Sequence, residues 1–194
     1  MILKIHALEC LRGDQVLFQD INATLNSGDL LQITGCNGSG KTSFLRLLLG
    51  FLKPSIGTIQ WINAPSMIYL GHHHAVKPEL TVLENLRYQF FIPEKPLMDV
   101  EDVLKQLELL PYAHRLCRYL SQGQKQKVAL ARLWLLPADV WILDEPFTAL
   151  DSGMIELLEH FFLQKLTAGV AIIATTHRPF ALKALEAHIK VLDL

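Results

Sequence analysis

The residues Gly35-Cys36-Asn37-Gly38-Ser39-Gly40-Lys41-Thr42 constrain this chain more than any other stretch. They satisfy G-x-x-x-x-G-K-[ST], after an apolar run at 30–34 and before a helical pattern at 41–50. In that setting the glycines let the backbone curl, so that successive N–H groups point into one anion nest at a helix N-terminus. Lys41 is then placed to reach the β- and γ-phosphates of a nucleoside triphosphate, with Mg²⁺ taking the Thr42 hydroxyl. The nucleotide-binding stretch runs from Gly35 to Ser43. Strand, turn and helix in that order also commit the chain to an α/β fold.

The rest of the pattern agrees. Short β-branched or apolar runs at 2–8, 20–25, 30–34, 58–62, 67–70, 140–143, 170–175 and 189–192 predict strands, and helical stretches alternate with them. Between about 75 and 119 the strand signal stops. Residues 80–91 and 99–110 are expected as helices separated by the Pro93/Pro96 break. Acidic residues outnumber basic ones from 77 to 108, and only basic ones occur from 115 to 132. This predicts one domain over 1–194: an α/β core at about 1–74 and 120–194, with a helical subdomain inserted at about 75–119.

Val140-Trp141-Ile142-Leu143-Asp144-Glu145 is an apolar strand ending in two carboxylates, which are costly there unless a cation or a water uses them. Asp144 is the expected Mg²⁺-side carboxylate, acting through a water because Mg²⁺ dehydrates reluctantly. Glu145 is the expected general base for the attacking water.

Composition excludes several classes. A net charge of -1 lacks the basic bias of a duplex-binding protein, so no nucleic-acid partner is expected. Cys10, Cys36 and Cys117 are odd in number and widely spaced, the pattern of reduced thiols. The chain is 51% apolar, yet no segment approaches the ~18 apolar residues needed to span a bilayer. Residues 1–9 carry Lys4, His6 and Glu9 and lack the continuous apolar run of a secretory signal.

Taken with Leu120-Ser121-Gln122-Gly123-Gln124, these features resemble the ABC ATPases over nearly the whole chain. That run is similar to the LSGGQ signature, with Gln122 in place of the first glycine, and Ser121 is a natural N-cap for a helix at 125–135. Ala149-Leu150-Asp151 resembles the D-loop, Thr176-His177 the switch histidine, and Leu80-Thr81-Val82-Leu83-Glu84-Asn85-Leu86 the LTVxENL stretch. The resemblance implies a P-loop NTPase (RecA-like) core with N-terminal antiparallel strands, ATP and Mg²⁺ as ligands, and catalysis by Lys41, Glu145 and His177. It further implies a homodimer sandwiching ATP, the phosphates held by the cradle of one copy and by Ser121, Gln122, Gly123 and Gln124 of the other, with Asp151 alongside.

Two further positions depart from the family pattern. Arg12 stands where an adenine-stacking aromatic is usual, and a guanidinium plane can stack on a base. His72 falls on the Q-loop glutamine, where an imidazole is a poor direct match for Mg²⁺ and is expected to act through a metal-bound water. His72, His73 and His74 are consecutive, and neighbours in an extended segment point to opposite faces, so they are poor joint ligands.

Flanking residues narrow the resemblance. Leu130-Ala131-Arg132-Leu133-Trp134-Leu135 and Trp141 to Asp151 are similar to the ATPases of the cytochrome c maturation exporter. That implies a CcmB-like permease as partner and a peripheral place on the cytoplasmic face of the bacterial inner membrane. The alternatives are the ATPase of another small ABC exporter, or a non-transport family member. The latter typically carries a coiled-coil insert, a zinc site or two ATPase halves, none of which is present here. A catalytically dead module is disfavoured because Lys41, Asp144, Glu145 and His177 are all intact.

Overall fold

The computed structural model describes residues 1–13, 15–71, 75–89 and 97–194. Their contacts divide the chain into two compact units, one comprising Met1–Tyr69, Ala138–Glu145 and Glu159–Leu194, the other Leu70–Pro137 and Pro146–Leu158.

The first unit holds two sheets. In the smaller, strands β1 (Leu3–Arg12), β2 (Gln15–Leu25) and β4 (Ile56–Trp61) lie in the order β2-β1-β4, all antiparallel. β1 turns Leu3, Ile5, Leu8 and Cys10 inward. Its alternation slips at Ala7 (φ 44°), whose N–H donates to Asn22 Oδ1 at 2.9 Å, and the register with both neighbours shifts there. The hairpin runs further than expected, to Arg12 and Gln15. Backbone pairing carries it there, with Cys10 facing Phe18 and Leu11 facing Val16 across the two strands.

The larger sheet comprises β3 (Leu30–Thr34), β5 (Met67–Leu70), β6 (Val140–Asp144), β7 (Ala171–Thr175) and β8 (Ile189–Asp193), in the order β5-β6-β7-β3-β8. The pairs β6–β7, β7–β3 and β3–β8 are parallel. Every residue of β6 and β7 is buried, as expected of parallel strands covered on both faces. On one face Leu31, Ile33, Val140, Ile142 and Ile173 share a core with Phe44, Leu45 and Leu48 of helix α1 (Lys41–Leu48) and with Leu3, Ile5 and Leu25. The intervening Trp141 points to the other face. It meets Phe161 and Phe162 of helix α6 (Ser152–Thr167) at centroid distances of 5.5 and 6.0 Å.

The second unit is helical. Helix α2 (Val82–Glu84) opens on a Thr81–Glu84 capping box and runs into a π-helical turn, Asn85–Gln89. Fully buried Asn85 accepts from Lys77 N–H at 2.8 Å and donates to the carbonyls of Lys77, Leu80 and Thr81, pinning the 77–81 turn. Helix α3 (Val100–Gln106) is shorter than the expected 99–110. Glu108 takes a left-handed φ of 57°, and Pro111 then admits only a 3₁₀ turn. The expected helix at 125–135 begins earlier and is split into α4 (Gln122–Leu130) and α5 (Arg132–Leu135). No described helix is long and apolar enough to cross a membrane.

Candidate functional site

β3 delivers the chain into the glycine-rich turn, and α1 leaves it. Gly35, Gly38 and Gly40 carry φ of 136°, 90° and 107°, left-handed angles that side-chain-bearing residues rarely adopt. At Gly40, which caps α1, a Cβ would also press on the Phe18 ring at 3.1 Å. Lys41, only 8% exposed, donates its ammonium to the carbonyls of Gly35 at 2.9 Å and Cys36 at 3.0 Å. The charge is thereby folded into the mouth of the turn. Cys36, Asn37 and Gly38 are exposed, whereas Ser39, Thr42 and Ser43 are half-buried. Cys10, Cys36 and Cys117 are all free thiols.

β6 carries the two carboxylates to the same place. Thr42 donates to Asp144 Oδ2 at 2.9 Å, across 102 residues of sequence. The parallel register sets Thr175, the last residue of β7, opposite Asp144. Thr175 Oγ1 donates to Asp144 Oδ1 at 2.8 Å and accepts from the Glu145 N–H at 2.9 Å. One buried hydroxyl thus fixes both acids. It was not among the residues expected at the site, and its one sequence signal is a polar residue closing an otherwise apolar strand. Half-buried Tyr69, in β5, has its phenol pKa raised by burial and by the Asp144 charge.

Glu145 adopts a left-handed φ of 54°, an uncommon angle for a residue with a side chain, and such angles cluster at functional sites. Its Oε1 lies 3.3 Å from His177 Nε2 and makes no hydrogen bond among the described residues. His177, half exposed, lies two residues past the end of β7. Lys41, Thr42, Asp144, Glu145 and His177 therefore converge within one unit. A hydroxyl and a carboxylate 2.9 Å apart are hard oxygen donors of the kind Mg²⁺ accepts. Among the described residues no three His, Cys, Asp or Glu side chains converge as a metal cage.

The predicted signature and D-loop residues lie in the second unit. Ser121 caps α4, accepting from Gln124 N–H at 3.2 Å, while Gln124 Oε1 accepts from Ser121 N–H at 2.9 Å. Gln122 is exposed in the first turn. At Gly123 a Cβ would meet the Ala149 carbonyl at 2.5 Å, so only glycine lets the 149–151 loop approach. Asp151 precedes α6 and accepts from Met154 N–H at 2.9 Å; that bond, more than the nearby Lys127 charge, holds its carboxyl below the usual range. Buried Lys127 bonds Glu108 at 2.6 Å and lies 3.9 Å from Asp151.

Arg12 is exposed at the end of β1, paired with Gln15 through the backbone. His72 lies outside the described residues, as do His73 and His74.

Comparison with known proteins agrees with this geometry. The sequence profile of the ABC transporter family matches residues 18–148. The cytochrome c biogenesis ATP-binding export protein CcmA of Idiomarina loihiensis is 40% identical over 194 residues, covering 95% of this chain and 89% of that protein. The CcmA of Pasteurella multocida is 43% identical over 188 residues, covering 91% and 88%. Among solved structures, an ATP-binding subunit of an ABC transporter superposes with a TM-score of 0.81 at 23% identity, over 99% of this chain and 86% of that one. A dimeric ATP-binding cassette in a post-hydrolysis state, bound to ADP and Pi, does so at 0.75 and 22%, over 98% and 94%. With the profile matching well over half of the sequence and these relatives nearly all of it, the chain belongs to the ABC transporter family.

Proposed function

We propose that this chain is the ATP-hydrolysing subunit of a cytochrome c biogenesis exporter, working as an ATP-sandwiched homodimer on a CcmB-like permease. The observation that carries the catalytic part is the convergence of Lys41, Thr42, Asp144, Glu145 and His177 on the mouth of one glycine-rich turn. The likeness to CcmA proteins over nine-tenths of the chain supports the export system.

In this reading residues 35–43 cradle the phosphates with backbone N–H groups, and Lys41 turns from the loop carbonyls to the β- and γ-phosphates. Thr42 and Asp144 would hold Mg²⁺, which when bound would neutralise charge developing on the phosphates. Glu145 Oε1 keeps a lone pair with which to take the proton of the attacking water. Thr175 holds the Glu145 backbone from which that carboxylate extends. His177 faces the same oxygen and completes the polar wall around the γ-phosphate.

Ser121 to Gln124 and Asp151 serve the second copy's ATP. The α4 N-terminus offers amides to an anion, and the capping box leaves Ser121 Oγ at that end. One chain supplies one cradle and one signature, so two active sites require two chains. Arg12 stacks on the adenine, and His72 takes the place of the Q-loop glutamine as γ-phosphate sensor.

These assignments place the chain peripherally on the cytoplasmic face of the bacterial inner membrane. The test is co-purification of the tagged chain from detergent-solubilised membranes with identification of the integral partner. A small polytopic permease encoded with cytochrome c maturation proteins is expected. Recovery of a different exporter's permease would reassign the system, and recovery of ribosomes or DNA without any integral protein would refute a transport role.

A further inference from the structure

Glu159 is a carboxylate the reaction does not use, and its side chain is 2% exposed. Buried ionised groups are retained only where donors satisfy them. Here the donors come from one short segment. Ala181 N–H lies 3.1 Å from both carboxylate oxygens, Leu182 N–H donates to Oε2 at 2.8 Å, and Arg178 Nη2 lies 3.5 Å from Oε1. All three residues lie within the stretch just after His177, from 178 to 182. Three residues further along α6, Phe162 meets Phe180 at a centroid distance of 6.5 Å.

The segment 176–182 belongs to neither strand nor helix, so ladder bonds do not set its path. Its near end is held by its own Thr176 and by Gln32 of β3. Thr176 Oγ1 donates to the Arg178 carbonyl and accepts from the Arg178 N–H, both at 3.2 Å, and Gln32 Nε2 donates to that carbonyl at 3.4 Å. Its far end is held by Glu159. His177 sits between Thr176 and Arg178, next to the guanidinium paired with Glu159, and its Nε2 lies 3.3 Å from Glu145 Oε1.

We propose that Glu159 is a positioning residue that acts through His177, setting the path of the 178–182 segment so that the imidazole faces Glu145. The proposal rests on the reading of His177 as a participant in hydrolysis. Neutralising the carboxylate weakens its grip on two N–H groups and on Arg178, and the imidazole loses its fixed place. ATP binding rests on residues 35–43 and is spared.

The test is a double-mutant cycle on the full chain with Glu159→Gln, His177→Ala and the pair. Glu159→Gln should lower kcat about tenfold to a hundredfold, as misplacement of a reacting group does, while KM for ATP stays near wild type. Added to His177→Ala, it should cost nothing further. Amide exchange at Ala181 and Leu182 should quicken in Glu159→Gln. If the glutamine variant does not fold, Glu159→Asp keeps the charge, withdraws it by one methylene, and takes its place in the cycle. A loss that multiplies with that of His177→Ala, or a wild-type kcat in a folded Glu159 variant, overturns the proposal. A wild-type kcat in His177→Ala instead removes the reading beneath it.

Discussion

At Glu145 the backbone is bent into a left-handed angle that costs a residue with a side chain of order 1–3 kcal/mol, and its Oε1 makes no hydrogen bond among the described residues. That combination suits a base rather than a structural acid. Glu145→Gln should bind ATP as wild type does and lose hydrolysis, read as single-turnover phosphate release; wild-type turnover would remove the assignment. Lys41→Ala should instead lose ATP binding itself, measured with a fluorescent nucleotide. Thr175→Val removes one donor from Asp144 and the acceptor of the Glu145 N–H, so it should cost about 1–3 kcal/mol of stability and lower kcat as well. A fall in melting temperature without any loss of kcat would show that Thr175 only holds the strands together. Of these residues, Lys41, Thr42, Asp144, Glu145 and His177 were legible in the sequence because each stands in a motif tied to its neighbours. Thr175 and Glu159 were not. Thr175 matters because the parallel register of two strands, 31 residues apart in the chain, sets it beside Asp144. Glu159 matters because a helix carries it to a segment more than twenty residues later.

Among the elements, α4 shows how a helix start can serve both stability and binding. Ser121 and Gln124 exchange hydrogen bonds as a capping box, so Ser121→Ala should cost about 1 kcal/mol. For a chain of this size that is a fall in melting temperature of about 2–4 °C. Under the proposed sandwich the same change also weakens contact with the second copy's ATP, so turnover should fall by more than the stability loss explains. Gly123→Ala is more severe, because the Ala149 carbonyl stands 2.5 Å from where the methyl would go. It should displace the 149–151 loop and suppress turnover while leaving ATP binding to the isolated chain intact. Strands of the larger sheet were legible to within a residue or so, since buried parallel strands are continuous apolar runs. Helix ends were less so. Glu108 leaves the α-helical angle where its carboxylate meets Lys127, a contact between residues far apart in sequence.

For the whole molecule, the decisive property is that each chain carries one phosphate cradle and one signature. If these complete each other's sites across two copies, hydrolysis and dimerisation are one process, and ATP is the ligand that couples them. The central claim is tested most directly by light scattering of purified Glu145→Gln, in which ATP binds and is not consumed. Without nucleotide the particle should have the mass of one chain, 21.9 kDa, and with Mg-ATP the mass of two. A single-chain mass at saturating Mg-ATP, with nucleotide shown to be bound, would contradict the account.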